Sequence, residues 1–301
     1  LFHVVTHAFF KALLFLCAGS VIHAMGGEQD IRRMGGLRKA LPITHLTFLI
    51  GTLAIAGVPP FAGFFSKDEI LAAAYSHSTF IFTVLVVTSV MTAVYMFRLY
   101  YLTFYGDFRG THHQQEHLHE SPSSMTFPLI ILAILSTLGG FLGMPEVFHA
   151  PHYFSEFLDP VTHFASSYSH SHVSHTFEYY MMGISVVALA VIIYMMYNRY
   201  VTKAHVPSED SGVTGFAKVI ANKFYVDEIY DAVITRPLNA LSSFGYQWIE
   251  KGFIDRIVNS TGAGTNGVAG LLRYVQSGSI GFYLFGMVFA VLILLLIKLV
   301  I

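Results

Sequence analysis

Apolar residues run along this chain in blocks of about 20, the length an α-helix needs to cross a hydrocarbon core. The blocks predict spanning helices at 1–24, 42–76, 79–104, 125–143, 177–200 and 280–301. The second block is interrupted at Gly57-Val58-Pro59-Pro60. Each proline removes a backbone donor and crowds the turn before it, so 42–76 is expected to be a discontinuous helix. In hydrocarbon, the backbone groups freed at such a break need partners from protein or from water in an internal cavity.

The pattern changes between 218 and 260. Val226, Tyr230, Val233, Pro237, Leu241, Phe244 and Trp248 recur at helical spacing, followed by Ile254 and Val258. Lys223, Asp227, Glu228, Asp231, Arg236, Glu250, Lys251, Asp255 and Arg256 are interleaved. No uncharged window here is long enough to span, so the segment is expected to lie along a membrane surface or across partner proteins. As a helix it would reach about 65 Å, with a kink or break at Pro237. The run Gly262-Ala263-Gly264-Thr265-Asn266-Gly267 matches a dinucleotide-binding pattern. It has neither a strand before it nor an acid after it, and it is expected to be a flexible connector.

Composition sharpens this reading. The chain has 301 residues, 54% hydrophobic and 12% charged, against about 25% charged in soluble domains. A net charge of −1 gives no reason to expect nucleic acid as a partner. The single cysteine, Cys17, excludes a disulfide framework or a cysteine-ligated cluster. Leu1 already lies inside an apolar pattern with no signal peptide, so the sequence is expected to be a piece of a longer protein. Lys and Arg concentrate in alternate loops, which puts 25–41, 105–124 and 201–279 on the cytoplasmic side or its organelle equivalent.

Ionisable residues inside spanning segments are costly and point to function. The first helix carries His3, His7 and Lys11 at a spacing of four, which stacks them on one stripe. Histidine exchanges protons near neutral pH, and groups one turn apart need bridging water to pass a proton on. Just beyond the break, Ser66-Lys67-Asp68-Glu69 has the form of a capping box, so a half-helix is expected to start at Lys67. A helix start and burial would both disfavour the Lys67 cation, while Asp68 and Glu69 favour it. Such opposed pulls suit a switchable proton site. His112, His113, His117 and His119, and then His170, His172 and His175, crowd two loops without matching a metal motif, and they are expected to be solvated tips.

The stretches THAFFKALLFLCAGSVIHAMGG, MGGLRK and AGVPPFAGFFSKDEIL, and the later FYVDEIYD, resemble one family closely. It is the subunit L family of proton-pumping NADH:quinone oxidoreductase (respiratory complex I), which includes mitochondrial chain 5 and its chloroplast counterpart. The resemblance covers essentially the whole chain and is weakest in the His-rich loops. It implies an all-α membrane protein: an antiporter-like transmembrane helix bundle with a discontinuous helix, a long lateral amphipathic helix and a terminal transmembrane helix. By the same resemblance, His3, His7 and Lys11 are central-axis proton carriers. Lys67 is the key lysine of the broken helix, and Asp68 is its adjacent acid. A glutamate and a lysine that the family carries in its first repeat have no counterpart in this sequence.

The expected organisation has four parts: 1–104, the second half of an antiporter-like repeat; 105–200, two further transmembrane helices; 201–279, lateral helix and connector; and 280–301, terminal helix. The resemblance further implies proton translocation coupled to electron transfer from NADH to quinone. NADH, FMN, iron–sulfur clusters and quinone would be bound by other subunits, with no cofactor or metal in this chain. The implied partners are the bilayer and other membrane-arm subunits, met along 218–260. The implied location is the cell inner membrane, or an organelle inner or thylakoid membrane. Three rival readings are the large subunit of a multi-subunit Na+/H+ antiporter, a structural scaffold, and the photosynthetic relative that feeds plastoquinone from ferredoxin.

Overall fold

The computed structural model describes residues 1–144, 152–162, 175–207, 213–276 and 278–301. These residues are helical throughout, with loops between and no strand among them. They divide into two units, 1–208 and 209–301.

In the first unit, α1 (Phe2–Ala24) is apolar on all sides and packs against α2 (Pro42–Ala56) and α6 (Ser123–Leu138). Its buried face reads Thr6, Phe10, Leu13, Leu14, Cys17, Ser20, Val21 and Ala24, at the three-and-four spacing of one helix side. Leu13 and Leu14 seat against Gly51 of α2, where a Cβ would stand 2.9 Å from Leu14 Cγ. α3 (Ala62–His77) and α4 (Thr79–Phe104) follow the break. α6 ends in a 3-10 turn, Gly139–Gly143, and α8 (His175–Tyr197) in a π turn, Asn198–Thr202. Two short helices, α5 (His112–Glu116) and α7 (Tyr153–Thr162), lie in the connections. The main core gathers Leu13, Leu14, Phe48, Phe97, Tyr100, Phe104 and Leu129, while α4 and α8 leave most of their apolar surface exposed, as lipid-facing helices do.

The predicted spans reappear closely. Among the described residues five helices are long and apolar enough to cross a membrane: Phe2–Ala24, Thr79–Phe104, Ser123–Gly143, Thr176–Thr202 and Ile280–Val300. α2 and α3, of 15 and 16 residues, are each too short to cross ~30 Å alone. They are the two halves of the discontinuous helix.

Loops 25–41 and 105–122 meet at one end of the bundle, as the charge pattern requires. Arg109 donates to the carbonyls of Ile31, Arg32 and Leu102, at 3.2, 2.9 and 2.7 Å. Arg32's side chain, then its backbone N–H, hold the Asp30 carboxyl below the usual carboxylate range. At this end Glu120 caps α2. Pro42 at the first position has no N–H, and the next two donors, Ile43 and Thr44, both give their N–H to Glu120 Oε2, at 2.7 and 3.2 Å. The Thr44 hydroxyl donates to Glu120 Oε1 at 2.6 Å, which leaves its oxygen to accept from Ser20 at 2.8 Å. Ser20 in turn accepts from Ser121 at 2.6 Å. Every hydrogen in this knot has one place to go.

The second unit begins with α9 (Phe216–Ala221), then a turn in which Lys223, Phe224 and Tyr225 take φ of 53, 57 and 56°. From 226 to 275 the chain is helical without a gap: α10 (Val226–Tyr230), a π turn Asp231–Thr235, α11 (Arg236–Phe244), a π stretch Gly245–Ile254, and α12 (Asp255–Val275). One expectation is narrowed and one needs correction. Of the kink or break expected at Pro237, there is no break. The π turn just before it lets the Arg236 N–H reach back five residues to Asp231, and that wider turn makes room for a proline. Nor is 262–267 a connector. The helix runs without a break over Asp255–Val275, with Ile254, Ile257 and Val258 before the glycines and Val268, Leu271, Leu272 and Val275 after them at helical spacing. Thr261 and Thr265 bond back to the carbonyls of Ile257 and Thr261 within the helix, at 3.0 and 2.9 Å. α13 (Ile280–Val300) completes the unit.

Candidate functional site at the break

α2 ends where the sequence requires. Gly57 takes φ 84°, ψ 39°, a left-handed conformation that costs a glycine nothing. Its N–H and that of Val58 satisfy two carbonyls in the last turn of α2, those of Ala54 and Leu53. Phe61 N then reaches Val58 O at 3.0 Å across the two prolines, and Phe64 N reaches Phe61 O at 3.0 Å. α3 restarts at once. Its second residue, Gly63, lies so close to α2 that a Cβ would collide with the Ala54 carbonyl.

This start corrects the capping-box reading. α3 begins at Ala62 with Phe61 as N-cap, so Lys67 sits in the second turn and not at the helix start. Ser66 caps nothing. Its hydroxyl is buried and lies 3.0 Å from the Ala62 carbonyl, one turn back. It also lies 3.0 Å from His3 Nδ1 and 3.0 Å from Thr6 Oγ1, both on α1. Residues more than sixty positions apart in the chain are thereby joined.

Lys67 and Asp68 are neighbours on α3 and, being consecutive, point to different sides. The stem of Lys67 runs along Gly57, where a Cβ would be 3.5 Å from Lys67 Cδ. Among the described residues, four buried side-chain polar atoms have no hydrogen-bond partner in the protein: Lys67 Nζ, Asp68 Oδ2, Thr52 Oγ1 on α2 and Ser136 Oγ on α6. A buried amine and carboxylate left unpaired are expensive in a purely structural role. No fixed acceptor ties the Lys67 proton to one place. This is the physical setting of a group that exchanges protons through water.

The histidine stripe is present but uneven. His3 and His7 are half-buried, with ring centroids 5.8 Å apart and Phe10 packed against both. Lys11, one turn further on, is on an exposed side of α1 in this chain. The structure therefore brings His3 to the helix of Lys67 and Asp68 and leaves Lys11 facing outward. Ser66 and Thr6 were not singled out as site residues from sequence. The available signal was Thr6 at three residues from His3, on the same helix face. Around the other histidines, His112 contacts Glu116 at 3.1 Å and the His113 and His117 rings lie 4.6 Å apart, all exposed. No group of three metal-ligating side chains comes together among the described residues. His170 and His172, and the side chain of His175, lie outside what is described.

A multi-span bundle with a discontinuous helix, an unpaired buried lysine at the break and a histidine helix joined to it defines an antiporter-like membrane subunit. Residues 1–92 match the family described as NADH:quinone oxidoreductase/Mrp antiporter, TM. The chain is 39% identical over 316 residues to NAD(P)H-quinone oxidoreductase chain 5 of Picosynechococcus sp., covering 94% of this chain and 46% of that one. It is 39% identical over 277 residues to NADH-quinone oxidoreductase subunit L of Rickettsia bellii, covering 89% and 41%. It is 38% identical over 306 residues to the chloroplastic NAD(P)H-quinone oxidoreductase subunit 5 of Nephroselmis olivacea, covering 97% and 45%. The chain belongs to this subunit L/chain 5 family of membrane subunits, and it spans a little under half the length of these curated relatives.

Proposed function

We propose that the chain carries part of the proton path of an NADH:quinone oxidoreductase, moving protons across the membrane as electrons pass from NADH to quinone in other subunits. The observation that carries this reading is Lys67 Nζ, buried without a partner at the break. In this reading Lys67 accepts and releases the proton, and the Asp68 carboxylate stabilises its charged form. His3, His7 and Lys11 deliver protons along α1 through bridging water, since rings 5.8 Å apart are beyond a direct hop. NADH, FMN, iron–sulfur clusters and quinone have no role for this chain's side chains here. They belong to partner subunits.

The run 226–275 fits a lateral role. Trp248 is 67% exposed and Leu241 67%, and the helix that carries them runs for about 75 Å. Neighbouring membrane-arm subunits are its proposed cover. Relatives from bacteria and chloroplasts support the cell inner membrane or an organelle membrane as the location.

NADH-driven acidification of inverted membrane vesicles tests the reading, using the full-length subunit with and without Lys67→Ala. Acidification should fall while the variant is still incorporated into the complex on native gels. Full acidification by an incorporated variant would overturn the reading and favour a scaffold. Proton movement driven by a sodium gradient but not by NADH would favour the antiporter.

A further inference from the structure

We propose that Ser66 and Thr6 form a two-position hydroxyl relay that keeps His3 Nδ1 hydrogen-bonded whether or not that nitrogen carries a proton. The inference deepens the proton-path reading above and rests on it for its functional meaning. Both residues are positioning residues, acting through His3.

The argument is a count of hydrogens. Ser66 Oγ has three neighbours at 3.0 Å: His3 Nδ1, Thr6 Oγ1 and the Ala62 carbonyl. Thr6 Oγ1 has a second choice, the His3 carbonyl at 3.1 Å. When Nδ1 is bare, Ser66 donates to it and Thr6 donates to Ser66. When Nδ1 is protonated, its N–H donates to Ser66 Oγ and the Ser66 hydrogen turns to Ala62 O. Thr6 then stays on Ser66 or turns to His3 O. Each arrangement leaves every partner satisfied, and only hydroxyl hydrogens move. Ser66 and Thr6 are both 0% exposed, so bulk water does not substitute for them.

The placement gives this relay its use. A histidine that passes protons must be stable in two forms, and a fixed donor or a fixed acceptor would hold it in one. Ser66 also directly precedes Lys67, so the same hydroxyl ties the histidine helix to the helix of the buried lysine. The titratable groups near His3 are His7 on its own helix, Lys67 and Asp68 on α3, and His152 beside Phe2. α6 and its 3-10 end bring none, and α2 brings only His45, which pairs with Tyr100 toward the loop end.

The test measures proton pumping against pH in the assembled complex for Ser66→Ala, Thr6→Val and Ser66→Thr. Without Ser66 the charged ring loses its acceptor, which costs more than a neutral ring losing its donor. The pH profile should therefore move to lower pH by about one unit in Ser66→Ala. Thr6→Val should move it the same way by less, and Ser66→Thr should bring it back. A second readout needs no turnover: ring-15N magnetic resonance of the full-length subunit in bilayers, with the His3 signal assigned by its loss in His3→Gln. Nδ1 should stay hydrogen-bonded at both ends of the titration in the unmodified subunit and lose that bond in Ser66→Ala. Rates that fall equally at every pH, or an Nδ1 signal unchanged in Ser66→Ala, would overturn the relay. Intact pumping in Lys67→Ala would sink the proton-path reading instead, and the resonance measurement would still decide the relay.

Discussion

The two ends of α2 handle polar groups in opposite ways. At the loop end, Glu120 collects two backbone N–H groups and a hydroxyl, and the chain Thr44, Ser20, Ser121 has one possible order of hydrogens. At the break, Lys67 and Asp68 keep unpaired polar atoms, and Ser66 has more neighbours than hydrogens to give them. A satisfied network fixes structure, whereas an unsatisfied one costs stability and leaves protons free to move. The difference separates the residues that hold this helix from those that use it.

That contrast breaks if the two ends respond alike to substitution. Lys67→Met should lower pumping by roughly a hundredfold, the scale for losing a positioned proton-transfer group. Its thermal midpoint should hold or rise, because Lys67 Nζ makes no hydrogen bond in the protein and an apolar side chain of similar length spares the cost of burying it. Glu120→Ala should do the reverse, with a loss of about 2–3 kcal/mol as its donors are orphaned, read as a lower unfolding midpoint. Pumping per assembled subunit should change little. Gly63→Ala should cost about 1–3 kcal/mol, since its methyl group meets the Ala54 carbonyl, and should lower pumping as well because the break itself shifts. Thr44→Val should cost about 1 kcal/mol and leave pumping intact. Lys67→Met that lowers the melting point as far as Glu120→Ala would erase the distinction.

Much of the fold was legible in the sequence because the bilayer simplifies the code. Spans announce themselves as long apolar blocks, and Pro59-Pro60 announces the break. What the sequence hid was local competition and long-range contact. The pattern Ser66-x-x-Glu69 satisfies the rule for a helix start, but the prolines fix that start earlier and Ser66 is carried inside the helix. Pro237 and the glycines at 262–267 lower helix propensity, yet the helix runs on through both, past a π turn at the first and with threonine hydroxyls bonded back to the helix at the second. The site residues His3, Lys67 and Asp68 stood out as charges in apolar surroundings. The hydroxyls that connect them did not, because serine and threonine are common in membrane helices and these contacts join positions 60 and 63 residues apart.

Between Thr6 and Cys17 the buried side of α1 is made of Phe10, Leu13 and Leu14 alone. On the function proposed above, insulation matters as much as conduction, since each elementary charge that slips back releases about 2.3 kcal/mol per 100 mV. These three side chains are what α1 places between the hydroxyls near His3 and those at the loop end. If the proposed proton path runs beside them, shrinking Phe10 should show itself first as a leak.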